Sequence, residues 1–188
     1  YDRRFLTRGV QPHVYAIEES NAVKREQLSC LGAGLSDIEK NTARMQAEGL
    51  IADLKDAKEY GSILTVRSCD WDLLRRYADN IEADGQLSME YIGIEDTVKQ
   101  LKKLINVGEV MAQKYDAVVT NPPYMGASGM GVGLSKYVKE RYPDSKSDLF
   151  AVFLEHGSDM VKINGFNCMV TMQSWMFLSS FEKLRKKL

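Results

Sequence analysis

The sequence predicts an α/β fold, and three features of the chain support this prediction. Two short runs rich in β-branched residues, Ile63–Val66 and Asp116–Thr120, are typical of strands, the second of a buried parallel strand. Two segments with apolar residues at helical spacing, Asp72–Ala83 and Ile94–Lys114, lie between these runs. The second run ends at Asn121–Tyr124, where two successive prolines stop the strand. Because open α/β sheets bind ligands at the carboxyl ends of strands, we expect the functional site at this tetrapeptide.

The part of the chain before residue 62 is predicted to be mostly helical. A short strand is expected at Val14–Ile17. A long helix is expected to begin at Ser36 or Asp37 and to continue to about Tyr60, where Gly61 ends it.

A Gly-x-Gly pattern at Cys30–Gly34 allows two interpretations. The segment before it, Ala22–Leu28, carries three consecutive charged residues and is a poor candidate for a buried strand. Ser36 behind it is a typical helix N-cap. These features favour a loop that caps a helix over a dinucleotide-binding turn.

The segment after the tetrapeptide is predicted to be a loop followed by two helices. The loop Met125–Gly133 carries four glycines, which suit a flexible lid over the substrate or plain mobility without a function. A short helix is expected at Ser135–Arg141, stopped by Pro143.

The tetrapeptide combines an amide side chain, rigid carbonyl groups and an aromatic ring. Pro122 and Pro123 each restrict the residue before them, so the Asn121 side chain and the Pro122 carbonyl group are held rigidly. Together with the ring of Tyr124, these oxygen acceptors suit a planar amino-nitrogen substrate, such as the exocyclic amine of a base. The competing interpretation is a plain proline turn that leaves a strand.

Composition indicates a single domain whose net charge creates no strong electrostatic field. The chain has 188 residues, of which 44% are apolar, and its formal net charge is −1. It therefore has no overall positive charge that would attract nucleic acid. Two local basic clusters are interpreted as solvated faces, with phosphate contact as the alternative. They comprise Arg3, Arg4 and Arg8, and Lys183, Arg185, Lys186 and Lys187.

Cysteine and histidine usage argues against a disulfide framework, a metal site and a membrane span. The three cysteines are far apart and form no Cys-x-x-Cys pair, which favours reduced thiols in a bacterial cytoplasm. No apolar run approaches the roughly 20 residues that a membrane helix requires. His13 has no partners for a metal site, and His156 is expected to be a hydrogen-bonded histidine on an apolar helix face.

The motif and its surroundings resemble the amino-group methyltransferases that use S-adenosylmethionine, above all the N6-adenine DNA methyltransferases. The tetrapeptide resembles their catalytic Asn-Pro-Pro-Tyr motif. Ser147–Glu155 resembles the helix that follows this motif, and Asn167–Trp175 with Phe177–Leu188 resembles the next strand and helix. The similarity extends over about residues 60–188 and is strongest to the large adenine methyltransferases of phage-defence (BREX-type) and restriction-modification systems.

The resemblance implies a partial Rossmann-like methyltransferase sheet with helical insertions, lacking the glycine-rich strand and turn that hold the cofactor. The chain is expected to be one fragment of a catalytic domain, with its catalytic-motif part at residues 63–188. Asp70 takes the position of an acid that touches the cofactor, and Phe150 and Phe153 those of rings that pack against it. The alternatives are a helix N-cap for Asp70 and ordinary helix core for both phenylalanines. Trp175 is expected in the core rather than in a base pocket.

The function implied by the resemblance is methyl transfer from S-adenosylmethionine to adenine N6. Asn121 and Pro122 would accept hydrogen bonds from the amine, Pro123 would keep the turn rigid, and Tyr124 would stack on an adenine flipped out of double-stranded DNA. Other defence-system proteins and further copies of the chain are expected partners. Two alternatives remain open: a methyltransferase for a protein glutamine or an RNA guanine, and a non-catalytic DNA-binding or assembly module. The chain alone is expected to be inactive.

Overall fold

The computed structural model describes residue 9 and residues 12–81 and 92–188, and it has the predicted mixture of helices and parallel strands. In chain order these are α1 (Asp37–Asp53), α2 (Ala57–Tyr60), α3 (Trp71–Asp79), α4 (Ile94–Ala112), β1 (Tyr115–Thr120), α5 (Val132–Arg141), α6 (Leu149–Met160), β2 (Val161–Met169) and α7 (Glu182–Lys187). Helix α3 ends at Asp79, so the prediction that it continues to Ala83 is wrong; Ala83 itself and the basic residues Arg3, Arg4 and Arg8 lie outside the described residues.

Strands β1 and β2 form a two-stranded parallel sheet, in which Thr120 lies opposite Met169. Their close approach depends on Gly165, because a Cβ atom there would lie 2.9 Å from the carbonyl oxygen of Asp116. The parallel strand predicted at Asp116–Thr120 is therefore confirmed. The carboxyl ends of both strands lie at one edge of the sheet, and Asn121 follows the first of them.

The predicted burial of β1 is wrong, because the side chain of Val119 is 74% exposed. Phe166 of β2 is also exposed, whereas Asn167 and Met169 point towards α6. Helix α6 covers one face of the sheet, and the described residues leave Val119 and Phe166 uncovered on the other. The strand that the resemblance implied at Asn167–Trp175 overlaps β2 only at its first three residues.

The segment Ile63–Val66 is not a strand, contrary to the prediction. Its backbone runs from a 3-10 turn into an extended stretch whose N–H groups bind side chains instead of a neighbouring strand. Thr65 N donates to the Tyr137 hydroxyl (3.4 Å), Arg67 N to Asp53 Oδ2 (3.1 Å) and Asp70 N to Gln46 Oε1 (2.9 Å). These side-chain acceptors satisfy donors that a sheet ladder would otherwise use.

Two predictions upstream are also corrected. Val14–Ile17 is not a strand, and Val14 is 86% exposed. The long helix ends at Asp53 rather than near Tyr60, because Asp56 adopts a left-handed conformation with φ of 54°. The side chain of Asn21 stabilises this turn by binding both the N–H group and the carboxylate of Asp56.

The largest core lies among α1, α3 and α4, and the loop Cys30–Gly34 packs beside it. Ser36 caps α1 in a capping box with Glu39, which confirms the interpretation of this loop as a helix cap. Gly32 N donates to the carbonyl group of Asn80 (2.7 Å) at the end of α3. The fully buried side chains of this core include Leu28, Leu31, Leu50, Leu54, Leu74, Tyr77, Leu101 and Leu104. Across residues 12–81 and 92–188, no helix combines the length and apolar character needed to cross a membrane.

His156 on α6 is buried and bonded at only one of its ring nitrogens. The Tyr142 hydroxyl donates to the Ile63 carbonyl group (2.6 Å), so its oxygen accepts from Nδ1–H of His156 (2.9 Å). The expected hydrogen-bonded helix histidine is therefore confirmed at Nδ1, whereas Nε2 has no hydrogen-bond partner among the described residues. Burial lowers the pKa of His156, and the carboxylate of Asp159 offsets part of this shift.

We expect His156 to make the fold acid-sensitive. In the unfolded chain the imidazole takes up a proton below a pKa of about 6.5, whereas the buried neutral ring resists protonation until a lower pH. The contribution of His156 to stability is therefore fully present above the pKa of the unfolded state. It is lost as the pH falls from that value towards the lower pKa of the folded state. Urea unfolding between pH 8 and pH 5.5 should show this slope in the wild type, a flatter slope in His156→Asn, and no change from wild type in His13→Asn, which alters an exposed ring.

Candidate active site

The Asn121–Tyr124 loop leaves β1 at the carboxyl edge of the sheet. Asn121, Pro123 and Tyr124 are exposed, and Pro122 is buried beneath them. Within the described residues, the loop forms no backbone–backbone hydrogen bond of its own. Its conformation therefore depends on the stiffness of the two prolines and on anchors at either end.

Tyr124 is anchored to Val170, the residue that follows β2. Its hydroxyl group donates to the carbonyl oxygen of Val170 (3.0 Å), and Val170 N donates in turn to the Thr120 carbonyl group (3.3 Å). The ring also meets Phe150 edge to face, with 6.1 Å between the ring centroids. Because 51% of Tyr124 is still exposed, the ring is fixed in position but accessible to a planar ligand.

The end of the loop is tied to the start of α6. Met125 N donates to Asp148 Oδ1 (3.2 Å), and the Met125 carbonyl group accepts from Leu149 N (2.9 Å). Ala127 N donates to the Ser147 carbonyl group (3.1 Å). Residues 127–147, including α5, therefore form a segment whose two ends are bonded to each other near the sheet edge. The role of Met125–Gly133 as a lid stays a prediction, and its start is held by these bonds.

The three predicted cofactor residues lie in different surroundings. Asp70 caps α3, accepting from Leu73 N (2.9 Å), as the alternative interpretation stated. Phe150 is only 1% exposed and packs between Tyr124 and Phe181. Phe153 is half-buried against a second apolar cluster. The structure thus brings Phe150 to the motif, and it records no contact of Asp70 with the motif among the described residues.

The basic residues near the carboxyl end are largely engaged within the chain. Arg185 donates to the carbonyl groups of Trp175 (2.6 Å) and Leu178 (2.8 Å). Lys187 binds the buried carboxylate of Glu155 (2.7 Å), which raises the pKa of the lysine. These contacts favour a structural role for Arg185 and Lys187. Trp175 packs against the Phe150 and Phe181 cluster, as expected of a core residue.

Sequence reasoning missed Asp148 and Val170. Asp148 stands directly before an apolar helical run, which is the pattern of an N-cap, so its cap role could have been predicted. Its bond to Met125 could not, because the two residues are far apart in sequence. No group of three potential metal ligands from His, Cys, Asp and Glu occurs within the described parts of the chain.

The chain matches the Eco57I restriction-modification methylase family over residues 14–188. It is 36% identical over 202 aligned positions to the adenine-specific methyltransferase BrxX of Escherichia coli O9:H4 (strain HS), an alignment that covers 98% of this chain and 16% of that protein. It is 44% identical over 133 positions to the adenine-specific methyltransferase PglX of Lacticaseibacillus casei (strain Zhang), covering 70% of this chain and 11% of PglX. The chain thus spans less than a fifth of the length of either relative. The resemblance predicted from the motif is confirmed: the chain belongs to the Eco57I restriction-modification methylase family.

Proposed function

We propose that this chain carries the amino-group side of the active site of a DNA methyltransferase that modifies adenine at N6, in a bacterial phage-defence or restriction-modification system. The observation that carries the proposal is the exposed Asn121–Tyr124 loop, held at the carboxyl edge of a parallel sheet by Val170, Asp148 and Phe150. Membership of the methylase family and the names of the two relatives support the same reaction.

The exposed groups of the loop suit an exocyclic amine. The lone pair of adenine N6 is delocalised into the ring, so the amine is a weak nucleophile. Hydrogen bonds from N6–H to the Asn121 side-chain oxygen and the Pro122 carbonyl group would favour a tetrahedral nitrogen and free this lone pair. Tyr124 would stack on the base, which contributes about 1–3 kcal/mol. A base within a duplex cannot reach this loop, so the adenine would have to be flipped out.

S-adenosylmethionine would supply an electrophilic methyl group, and two of the three residues proposed to border it have other partners within the chain. Asp70 is engaged as a helix cap and Phe150 is covered by neighbouring rings. We propose Asp70, Phe150 and Phe153 as contributors to a pocket that residues outside this chain complete. The 188 residues alone are then expected to bind the cofactor weakly or not at all, which calorimetry can measure.

Double-stranded DNA is the proposed substrate, and protein partners are part of the same proposal. The exposed apolar side chains of the sheet, Val119, Ile163 and Phe166, offer a surface for other defence-system proteins or for a second copy of the chain. Their exposure supports a protein contact without distinguishing these two partners.

Nucleoside analysis tests the proposed reaction. The full-length protein is incubated with labelled S-adenosylmethionine and with unmethylated DNA, RNA or protein. We expect N6-methyladenine in the DNA. Label in protein glutamine or in RNA guanine would replace the proposal by the second interpretation. A folded protein that binds cofactor and DNA but transfers no label would favour a non-catalytic module.

A further inference from the structure

We propose that Asp148 is a positioning residue for the methyl transfer proposed above, acting by fixing the backbone that follows Tyr124. The inference rests on that proposed function for its kinetic consequence. Its structural part stands on the contacts of Asp148 alone.

A single oxygen of Asp148 joins the motif loop to a helix. Oδ1 accepts from Met125 N (3.2 Å) and from Phe150 N (3.3 Å), which belongs to the first turn of α6. The side chain is partly buried, and the backbone of Asp148 also pairs with Gly126 in an antiparallel bridge. Asp148 therefore does more than cap a helix, because its carboxylate sets the distance between that helix and the residue after Tyr124.

The same helix turn also supports the ring of Tyr124. Phe150, whose N–H group shares the Asp148 oxygen, meets that ring edge to face. One turn of α6 thus contacts both the backbone after Tyr124 and the ring of Tyr124, while the hydroxyl group is bonded to Val170, the residue after β2. Removal of the carboxylate would leave the hydroxyl contact, the ring contact and the bond from Leu149 N to the Met125 carbonyl group, but it would free the Met125 N–H group.

The motif loop is unusually dependent on such an anchor. Pro122 and Pro123 have no N–H group, and between Asn121 and Tyr124 the described residues show no backbone–backbone hydrogen bond. Met125 follows the two prolines and Tyr124. Its N–H group is the first in this stretch to form a hydrogen bond, and the acceptor is Asp148. Small displacements of a positioned group lower catalytic rates steeply, so loss of this bond should affect turnover more than binding.

The acceptor geometry, rather than the negative charge, is expected to matter. An asparagine at this position presents a side-chain oxygen that can accept the same two N–H groups, whereas alanine presents none. Asp148→Asn should therefore preserve the hydrogen bond of Met125 N, and Asp148→Ala should remove it and loosen the end of the motif loop. Ser36→Ala is the matched control, because it removes a side-chain cap from α1, whose capping partner Glu39 has no contact with the motif.

Hydrogen exchange and kinetics together test the inference in the full-length protein. In Asp148→Ala we expect exchange of the Met125 amide to accelerate about tenfold, and kcat to fall about 10–100-fold with little change in the KM for S-adenosylmethionine. Asp148→Asn should restore both values to near wild type, and Ser36→Ala should alter neither.

Three results would overturn the inference. Unchanged Met125 exchange in Asp148→Ala would show that the carboxylate does not hold the loop. Fast turnover despite accelerated exchange would show that the loop does not need to be held. Failure of Asp148→Asn to restore turnover while restoring slow exchange would assign the charge a direct chemical role instead. If the wild type itself transfers no methyl group, the proposed function fails, and the exchange measurement still decides whether Asp148 holds the motif.

Discussion

Asn121→Ala in the full-length protein is expected to reduce N6-adenine methylation by at least about a hundredfold. The substitution removes the side-chain oxygen that would accept from the amine, and loss of one preorganised polar group in an active site typically lowers turnover by about 10²–10³. The Asn121 side chain is exposed at the end of β1, so its removal leaves no cavity and no buried group without a partner. The loss should therefore appear in kcat, with binding of cofactor and DNA largely retained.

Asn106→Ala is the matched control for this substitution. Asn106 is exposed on α4, away from the sheet edge, and the same truncation there should leave turnover unchanged. Nucleoside mass spectrometry of DNA treated with each variant gives the measurement. Wild-type levels of N6-methyladenine from Asn121→Ala would show that the Asn121 side chain does not take part in the reaction. The motif would then no longer support the proposed mechanism.

Helices and their first residues were predictable because their signals are local. Ile94–Lys114 corresponds to α4 within two residues, since its apolar spacing directly specifies a helix face. Ser36 identified the start of α1, since a capping box needs residues only three positions apart. The end of the same helix was missed because it depends on Asn21, which stabilises the left-handed Asp56 from 35 positions away.

Strands were predicted less well because pairing is decided by distant parts of the chain. The Asp116–Thr120 run paired as expected, yet Val119 is exposed, because burial of a strand depends on what lies against each face. Ile63–Val66 has a comparable composition and is not a strand. Its neighbouring N–H donors find acceptors on Tyr137 and Asp53, which no local pattern reveals.

The candidate site is a prediction from the sequence as a set of residues, whereas its geometry needed the structure. The chemical types in Asn121–Tyr124 and their covalent adjacency are local features of the sequence, and the proposed substrate class rests on them. The anchoring by Val170, Asp148 and Phe150 arises only when β2 and α6 meet the loop. For Phe150 the sequence offered cofactor contact and ordinary helix core, and in the structure it is a core residue with 1% exposure whose ring meets Tyr124.

Gly157→Ala is expected to destabilise the chain by about 1–3 kcal/mol, although alanine is the better helix former. Gly157 lies where α6 crosses β2, and an added Cβ atom would meet the Met169 side chain and lie 2.9 Å from Asn167 Oδ1. The Asn167 amide cannot simply move aside, because its nitrogen donates to the Leu154 carbonyl group (3.0 Å) and to Ser158 Oγ (2.9 Å). The methyl group therefore either breaks these bonds or pushes the strand away from the helix.

Gly49→Ala makes the same change in α1 and provides the comparison. A Cβ atom there would lie 3.3 Å from a guanidinium nitrogen of Arg67, a mostly exposed side chain bonded to Asp53 and to the Gly49 carbonyl group. This side chain end needs to move only slightly towards solvent, so most of the helix propensity gain of up to about 1 kcal/mol should be retained. Urea unfolding of both variants measures the difference, which we expect to be about 2 kcal/mol or more. Equal stability of the two variants would mean that β2 is not packed tightly on α6. Because Val170, whose carbonyl group holds Tyr124, directly follows β2, that result would also weaken the case for a rigid motif loop.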